Sequence, residues 1–225
     1  MSGTAGRQIK ITHDGSHTVY IPALKEHYHS IYGAWQESEY VFIKKGFRHF
    51  RKASLRIFEM GFGTGLNAFL TCIEAVKTKT EVYYSGIDLY PLETSISGKL
   101  NYGSLAEPEY REFYREMNAC DWDKPVPVND YFTLLKIYAD IREYPLKEKY
   151  DLVYFDAFAP DKQPELWQPL IFRKLFIALI PQGILVTYSA KGSVRRNLEK
   201  SGFIVTNIPG PPGKREIIKA QKGKG

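Results

Sequence analysis

Residues 59–67 read Glu-Met-Gly-Phe-Gly-Thr-Gly-Leu-Asn, with glycine at every second position: Gly61, Gly63 and Gly65. The run before them, Leu55 to Met60, is short and apolar; from Leu66 to Val76 the apolar spacing is helical. A strand that enters a helix through such a turn exposes bare backbone, which another group can approach closely. Working outward, the alternation repeats. EVYYSGID (81–88) reads as a second strand, followed by helical segments at 91–102 and 106–117. Residues 118–130 carry Asp, Trp, Pro and Asn and read as an irregular insertion. FTLLKIYAD (132–140) and YDLVYFDAF (150–158) read as strands, 165–180 as a helix, GILVTYS (183–189) as a strand, and a short helix starts near Val194. GFIVTNI (202–208) and REIIKA (215–220) close the pattern. PGPPG (209–213) between them is too tight for a helix, so these two strands pair antiparallel.

Strands alternating with helices predict an α/β, Rossmann-like fold with a mostly parallel seven-stranded sheet that ends in an antiparallel hairpin. Before it, RQIKITHDGSHTVYIP (7–22) reads as an N-terminal β-hairpin turning at Asp14-Gly15. The expected organisation is residues 1–50 as hairpin and covering segment and residues 51–225 as the main domain, in one compact unit. An apolar content of 44% with 25% charged residues suits a buried core and argues against disorder. The most apolar window, LFIALIPQGILV, is broken by Pro181, Gln182 and Gly183, so no membrane span is expected, nor is a signal peptide. Two cysteines without a C-x-x-C spacing suggest a reduced, cytoplasmic protein. The net charge of +6 favours a polyanionic partner.

Several acids stand at strand ends, where open α/β sheets bind ligands. Glu59 precedes the glycine turn by two residues. Asp88 ends the second strand and is placed to accept hydrogen bonds from ribose hydroxyls; the bland alternative is a helix cap ahead of Pro91. Asp140 ends the third strand, as a ligand contact or a solvent-facing cap. Asp156 directly follows the apolar run Leu152 to Phe155. A carboxylate there can orient an amine and take its proton, with Phe158 and Pro160 shaping an aromatic slot; the alternative is a cap for the helix near Pro164. The G-x-G-x-G spacing differs from the G-x-G-x-x-G dinucleotide fingerprint. It resembles the first motif of S-adenosyl-L-methionine (SAM)-dependent methyltransferases. That likeness implies SAM against Gly61, Gly63 and Gly65, with Glu59 near its amino group.

The resemblance becomes close over four stretches: EMGFGTGLN (59–67), DAFAPDKQPELW (156–167), SAKGSVRRNL (189–198) and GKREI (213–217). With HYHSIYGAWQESEYVFI (27–43) they resemble the bacterial tRNA 5-(aminomethyl)uridine methyltransferases, the methyltransferase part of the bifunctional MnmC. The similarity runs from about Asp14 to Ala220. It implies SAM as cofactor, tRNA as partner through its anticodon region, and N-methylation of the 5-aminomethyl group of (2-thio)uridine at wobble position 34. It also implies that the family's catalytic acid falls on Asp156 and its cofactor acids on Glu59, Asp88 and Asp140. Many relatives carry a fused FAD-dependent oxidase, whereas this sequence holds no second glycine fingerprint, so methyl transfer alone is expected of it.

Lys191, Arg195 and Arg196 follow the fifth strand, and Lys214 and Arg215 flank the final hairpin; these are candidate phosphate contacts or simply solvated charges. His27 and His29 are too few for a metal site, so no metal is expected. Two rival readings stay open. One keeps the fold but transfers a methyl or aminopropyl group to a small amine. The other is a non-catalytic RNA-binding relic.

Overall fold

A three-stranded antiparallel sheet begins the chain: β1 (Gln8–Ile11), β2 (His17–Ile21) and β3 (Glu26–His27). It was obtained, like the rest of the molecule, as a computed structural model, which describes residues 6–224. The expected hairpin is therefore two strands of a small sheet. Asp14 closes its turn by accepting from Thr12 and Ser16. Next come α1 (Ala34–Ser38), a π-helical turn over Glu39–Lys44 and a 3-10 turn over Phe47–His49.

The main sheet then starts with β4 (Ser54–Met60), α2 (Leu66–Thr78) and β5 (Glu81–Asp88). Three short helices follow, α3 (Thr94–Ser97), α4 (Tyr102–Leu105) and α5 (Arg111–Ala119), with a 3-10 turn at Pro108–Tyr110. The two helices expected here are thus four pieces: Gly98 ends the first and Pro108 opens the 3-10 turn. β6 (Pro125–Asn129) and β7 (Phe132–Tyr138) form a hairpin, and β8 (Tyr150–Phe155) runs up the centre. A 3-10 turn at Pro164–Trp167, α6 (Pro169–Ala178), β9 (Leu179–Thr187), α7 (Gly192–Lys200), β10 (Ile204–Pro209) and β11 (Glu216–Gln221) complete the chain.

The sheet order is β10-β11-β9-β8-β4-β5-β7-β6, so it has eight strands and not seven. The extra strand is β6, inside the segment expected to be irregular. Its Pro125 and Pro127 lack the N–H that a central strand needs, but at an edge one side faces no partner. β4, β5, β7, β8 and β9 are parallel, and β10 and β11 are the expected antiparallel hairpin.

β8 shows why this strand is central. All six residues are buried; Leu152 and Tyr154 enter the core under α2 and α5, while Val153 and Phe155 enter the core under α6 and α7. The N-terminal part shares the first of these cores through Val19, Ala34, Val41, Phe42, Ile43 and Phe47. The strand order reverses beside β4, whose neighbours are β5 and β8. The turns leaving β4 and β8 therefore meet at one crevice, the place where open α/β sheets hold ligands.

Candidate active site

All three turn glycines adopt left-handed backbone: φ is +88° at Gly61, +53° at Gly63 and +74° at Gly65. Gly61 and Phe62 both donate their N–H to Ile87 O at 3.1 Å, which ties the turn to β5. A Cβ on Gly61 would lie 2.7 Å from the backbone oxygen of Asp156. The absence of a side chain is thus what lets the two strand ends touch. Above Gly63 lies the ring of Tyr28, 3.1 Å from where a Cβ would be. Asp88 accepts from Gly63 N at 2.9 Å and from Tyr90 N at 2.8 Å. Burial pushes its carboxyl up from the ordinary value, and the two N–H donors oppose that rise. Two of its four lone-pair sites stay open for hydroxyls. The residues thus fit a nucleoside-bearing cofactor: bare backbone at the turn and a half-buried acid at the end of the next strand. Asp88→Ala is expected to weaken SAM by about 1–3 kcal/mol, read by calorimetry, and an unchanged affinity would exclude Asp88 from the site.

Asp156 sits at the other side of the crevice. Its N–H donates to Met60 O at 2.9 Å, and its Oδ2 accepts from Asn67 Nδ2 at 2.8 Å. It caps no helix: Gln163 and Gln168 flank the helical turns that follow. Asp156 keeps an accessible edge, yet desolvation pushes its carboxyl up to about 7. The nearby Glu37 carboxylate adds to this rise, while the Asn67 hydrogen bond and the Lys214 ammonium oppose it. Lys214 contacts Glu37 Oε1 as an ion pair and lies 4.0 Å above the ring of Tyr188. Tyr188 donates its hydroxyl to Ala157 O at 2.9 Å, and Ser30 N donates to Glu37 Oε2 at 2.9 Å. The N-terminal segment and the last hairpin therefore meet beside Asp156.

That N-terminal segment crosses the crevice. The Tyr28 ring packs edge-on against Phe158 with centroids 4.9 Å apart. His29 Nε2 lies 2.7 Å from Thr64 Oγ1, in the middle of the glycine turn. Full burial drives His29 down to about 4, so it is neutral at physiological pH. His27 packs instead on Tyr20, so the two histidines do not converge. Pro160 is half-buried in the loop after Phe158, and Trp167 is core, packed on Phe155 and Phe172.

Two of the expected contacts are engaged within the protein. Glu59 is fully buried and faces no open space; its Oε1 accepts from Asn67 Nδ2 at 2.9 Å. Asp140 accepts from Arg142 Nε at 2.9 and 3.0 Å and from Arg142 N at 2.9 Å, so it closes a turn and its carboxyl is held low. Among the basic residues, Lys191 and Lys214 to Glu216 line a groove with Tyr188 to Ala190. Lys191 pairs with Asp161 at 2.6 Å. Arg196 and Arg215 are exposed. Arg195 turns away to β10, donating to Asn207 Oδ1 at 3.2 Å and pairing with Glu199 at 2.9 Å. Asn67, Glu37 and His29 were not singled out as site residues from sequence. Only Asn67 carried a signal, as the last residue of the glycine-turn stretch.

Residues 112–223 match a family described as S-adenosyl-L-methionine-dependent methyltransferase. The bifunctional protein MnmC of tRNA 5-methylaminomethyl-2-thiouridine biosynthesis is similar in Paraburkholderia phymatum, 28% identical over 89% of this chain and 33% of that protein. In Chromobacterium violaceum it is 29% identical over 81% and 30%. The chain thus spans about a third of the length of the curated relatives it matches. Among solved structures, MnmC2 from Aquifex aeolicus superimposes with a TM-score of 0.80 at 28% identity, covering 98% of this chain and 71% of that one. With the glycine turn, Asp88 at the end of β5 and the strand order, these likenesses agree: the chain belongs to the S-adenosyl-L-methionine-dependent methyltransferases, in the family of the MnmC methyltransferase domain.

Proposed function

We propose that this chain methylates the aminomethyl nitrogen on C5 of (2-thio)uridine at tRNA wobble position 34, giving the 5-methylaminomethyl form. The observation that carries the reading is Asp156, a desolvated carboxylate raised to about 7 where the turns after β4 and β8 meet. The names of the relatives, which refer to 5-methylaminomethyl-2-thiouridine in tRNA, support the choice of substrate.

Gly61, Gly63, Gly65 and Asp88 would hold SAM, which when bound supplies an electrophilic methyl on a sulfonium. An ammonium has no lone pair, so the incoming group must first lose a proton. Asp156 takes that proton and orients the neutral nitrogen. Methyl transfer to that nitrogen would leave the C–S electron pair on sulfur, and Asp156 would then return its proton to solvent. The uridine has to leave the anticodon stack to reach this depth. Tyr28, Phe158 and Pro160 would flank it. Lys191, Arg196, Lys214 and Arg215 would meet phosphates, which position the RNA without reading its sequence.

The test is nucleoside mass spectrometry on aminomethyl-bearing tRNA incubated with the protein and SAM. A methyl group gained at the wobble uridine supports the reading. Methylation of spermidine with no change in the tRNA overturns it in favour of a small-amine enzyme. SAM binding with no transfer to either favours the relic.

A pH profile follows from the same carboxylate. Below about pH 7 the rate is expected to fall tenfold per unit as Asp156 becomes protonated, and to level above it. The substrate amine gives a limb of the same sign, so Lys214→Met separates the two. Lys214 holds the Asp156 carboxyl down, so its loss moves an Asp156 limb to higher pH and leaves a substrate limb in place.

A further inference from the structure

One side chain joins the two halves of the crevice from beneath. Asn67 is 2% exposed, in the first turn of α2, and its Nδ2 carries both of the hydrogen bonds that matter. One N–H goes to Asp156 Oδ2 at 2.8 Å and the other to Glu59 Oε1 at 2.9 Å. An amide nitrogen has two hydrogens, so this donor is saturated, and the geometry also fixes which end of the amide faces the carboxyls. Glu59 is completely buried at the end of β4, so its oxygen cannot leave to seek another donor.

The remaining atoms define the charge state of the group. Glu59 Oε2, Asn67 Oδ1 and the Tyr84 hydroxyl are all buried without a hydrogen-bond partner among the described residues. An ionised Glu59 would be a charge buried with only the Asn67 amide and the neighbouring Tyr84 hydroxyl to stabilise it. A protonated Glu59 instead offers an O–H to its surroundings, which matches the strong upward push that burial exerts on its carboxyl.

We propose that Asn67 is the positioning residue for Asp156, and that Glu59 acts as a neutral acceptor that locks the Asn67 amide, not as a direct contact to the cofactor. This rests on Asp156 being the proton acceptor. A carboxylate whose Oδ2 is held from below presents Oδ1 to the crevice in one orientation. Without that donor the carboxylate can rotate about χ2, and it also loses a hydrogen bond that favours its ionised form.

The experiment uses the full chain with aminomethyl-bearing tRNA, measured in single turnover at saturating SAM, alongside calorimetry with SAM. Asn67→Leu is expected to lower the rate on the order of 10- to 100-fold, a part of what a general base supplies, and to move the acid limb to higher pH. Its SAM affinity stays within about twofold. Glu59→Gln keeps an acceptor oxygen and should retain SAM affinity and lose far less rate than Glu59→Leu. Glu59→Leu, which has none, should behave as Asn67→Leu, and the double variant should be no slower than either single one.

An Asn67→Leu enzyme with wild-type rate and limb overturns the proposal. So does a Glu59→Gln enzyme that loses SAM affinity at least about tenfold, which would make Glu59 a charged cofactor contact. If Asn67→Leu does not fold, the contrast between the two Glu59 variants decides alone: equal rates overturn the proposal and unequal rates sustain it. Wild-type protein that leaves the tRNA unmethylated would be a failure of the assigned function, visible before any variant is made.

Discussion

Asp156→Asn is expected to lose turnover by about a hundred- to ten-thousand-fold, the usual contribution of a positioned general base, while melting at a higher temperature than wild type. Both effects have one cause. Burial raises the carboxyl to about 7 in the folded chain, against an ordinary value of 3.8. A raised folded value means that the native state binds more protons than the unfolded state between those limits. Stability therefore falls as pH rises through that window, and the full penalty is present above about pH 7. At 1.36 kcal/mol per unit this amounts to at most about 4 kcal/mol. The replacement amide would remain an acceptor for Asn67 Nδ2 while carrying no charge beside Glu37, so the penalty disappears. Near pH 8 the variant should melt up to about 10 °C higher, and near pH 4 the difference should vanish. Calorimetric scans at the two pH values, with a turnover assay, read all three outcomes. A variant that keeps wild-type turnover removes Asp156 from the chemistry; one that is inactive but not stabilised near pH 8 shows that the carboxylate is better solvated than its surroundings imply.

Much of the fold could be read from spacing because local and global signals agree there. Leu152 to Phe155 is apolar without a break because it has a core on each side, and Gly61 to Gly65 could serve only a strand-to-helix turn. The strand β6 was hidden because its prolines speak against a strand everywhere except at an edge, and edge position is a property of the assembled sheet. Lys136 in β7 is buried, with Nζ donating to Met117 O at 3.0 Å at the end of α5, a partnership set by tertiary contact alone. The site divides in the same way. That Asp156 and Asp88 stand at the crevice was legible because strand ends are where this architecture presents side chains. Asp140 is equally at a strand end, yet a residue two positions on, Arg142, takes its carboxylate. Glu37 and His29 reach the crevice from the segment expected to cover it, but its mixed helix and loop signals do not show which of its side chains turn inward. Arg48, one of a basic and aromatic cluster, forks onto Glu74 at 2.6 and 2.8 Å and is a packing anchor.

Gly61→Ala should damage the fold and the site together. At φ +88° an L-residue is strained wherever it stands, and here the methyl also meets backbone: Asp156 O at 2.7 Å, Asp156 C at 3.1 Å and Ala157 N at 3.4 Å. None of these atoms belongs to a side chain that can swing aside. Either the turn lifts off β8 or the end of β8 is displaced. The first breaks the hydrogen bonds from Gly61 and Phe62 to Ile87 O, and the second moves Asp156 relative to Gly63. The expected cost is about 2–4 kcal/mol of stability, strain and displaced contacts together, with SAM binding lost from calorimetry. Gly63→Ala is the control. Its φ of +53° is within reach of ordinary residues, and the nearest atoms belong to the Tyr28 ring, at 3.1 and 3.3 Å, which can rotate. That variant should stay within about 1 kcal/mol of wild type in stability and still bind SAM less well, because the added methyl occupies space above the turn. Equal melting temperatures for Gly61→Ala and Gly63→Ala, or wild-type SAM affinity in Gly61→Ala, would show that the contact between the turns after β4 and β8 does not organise the site.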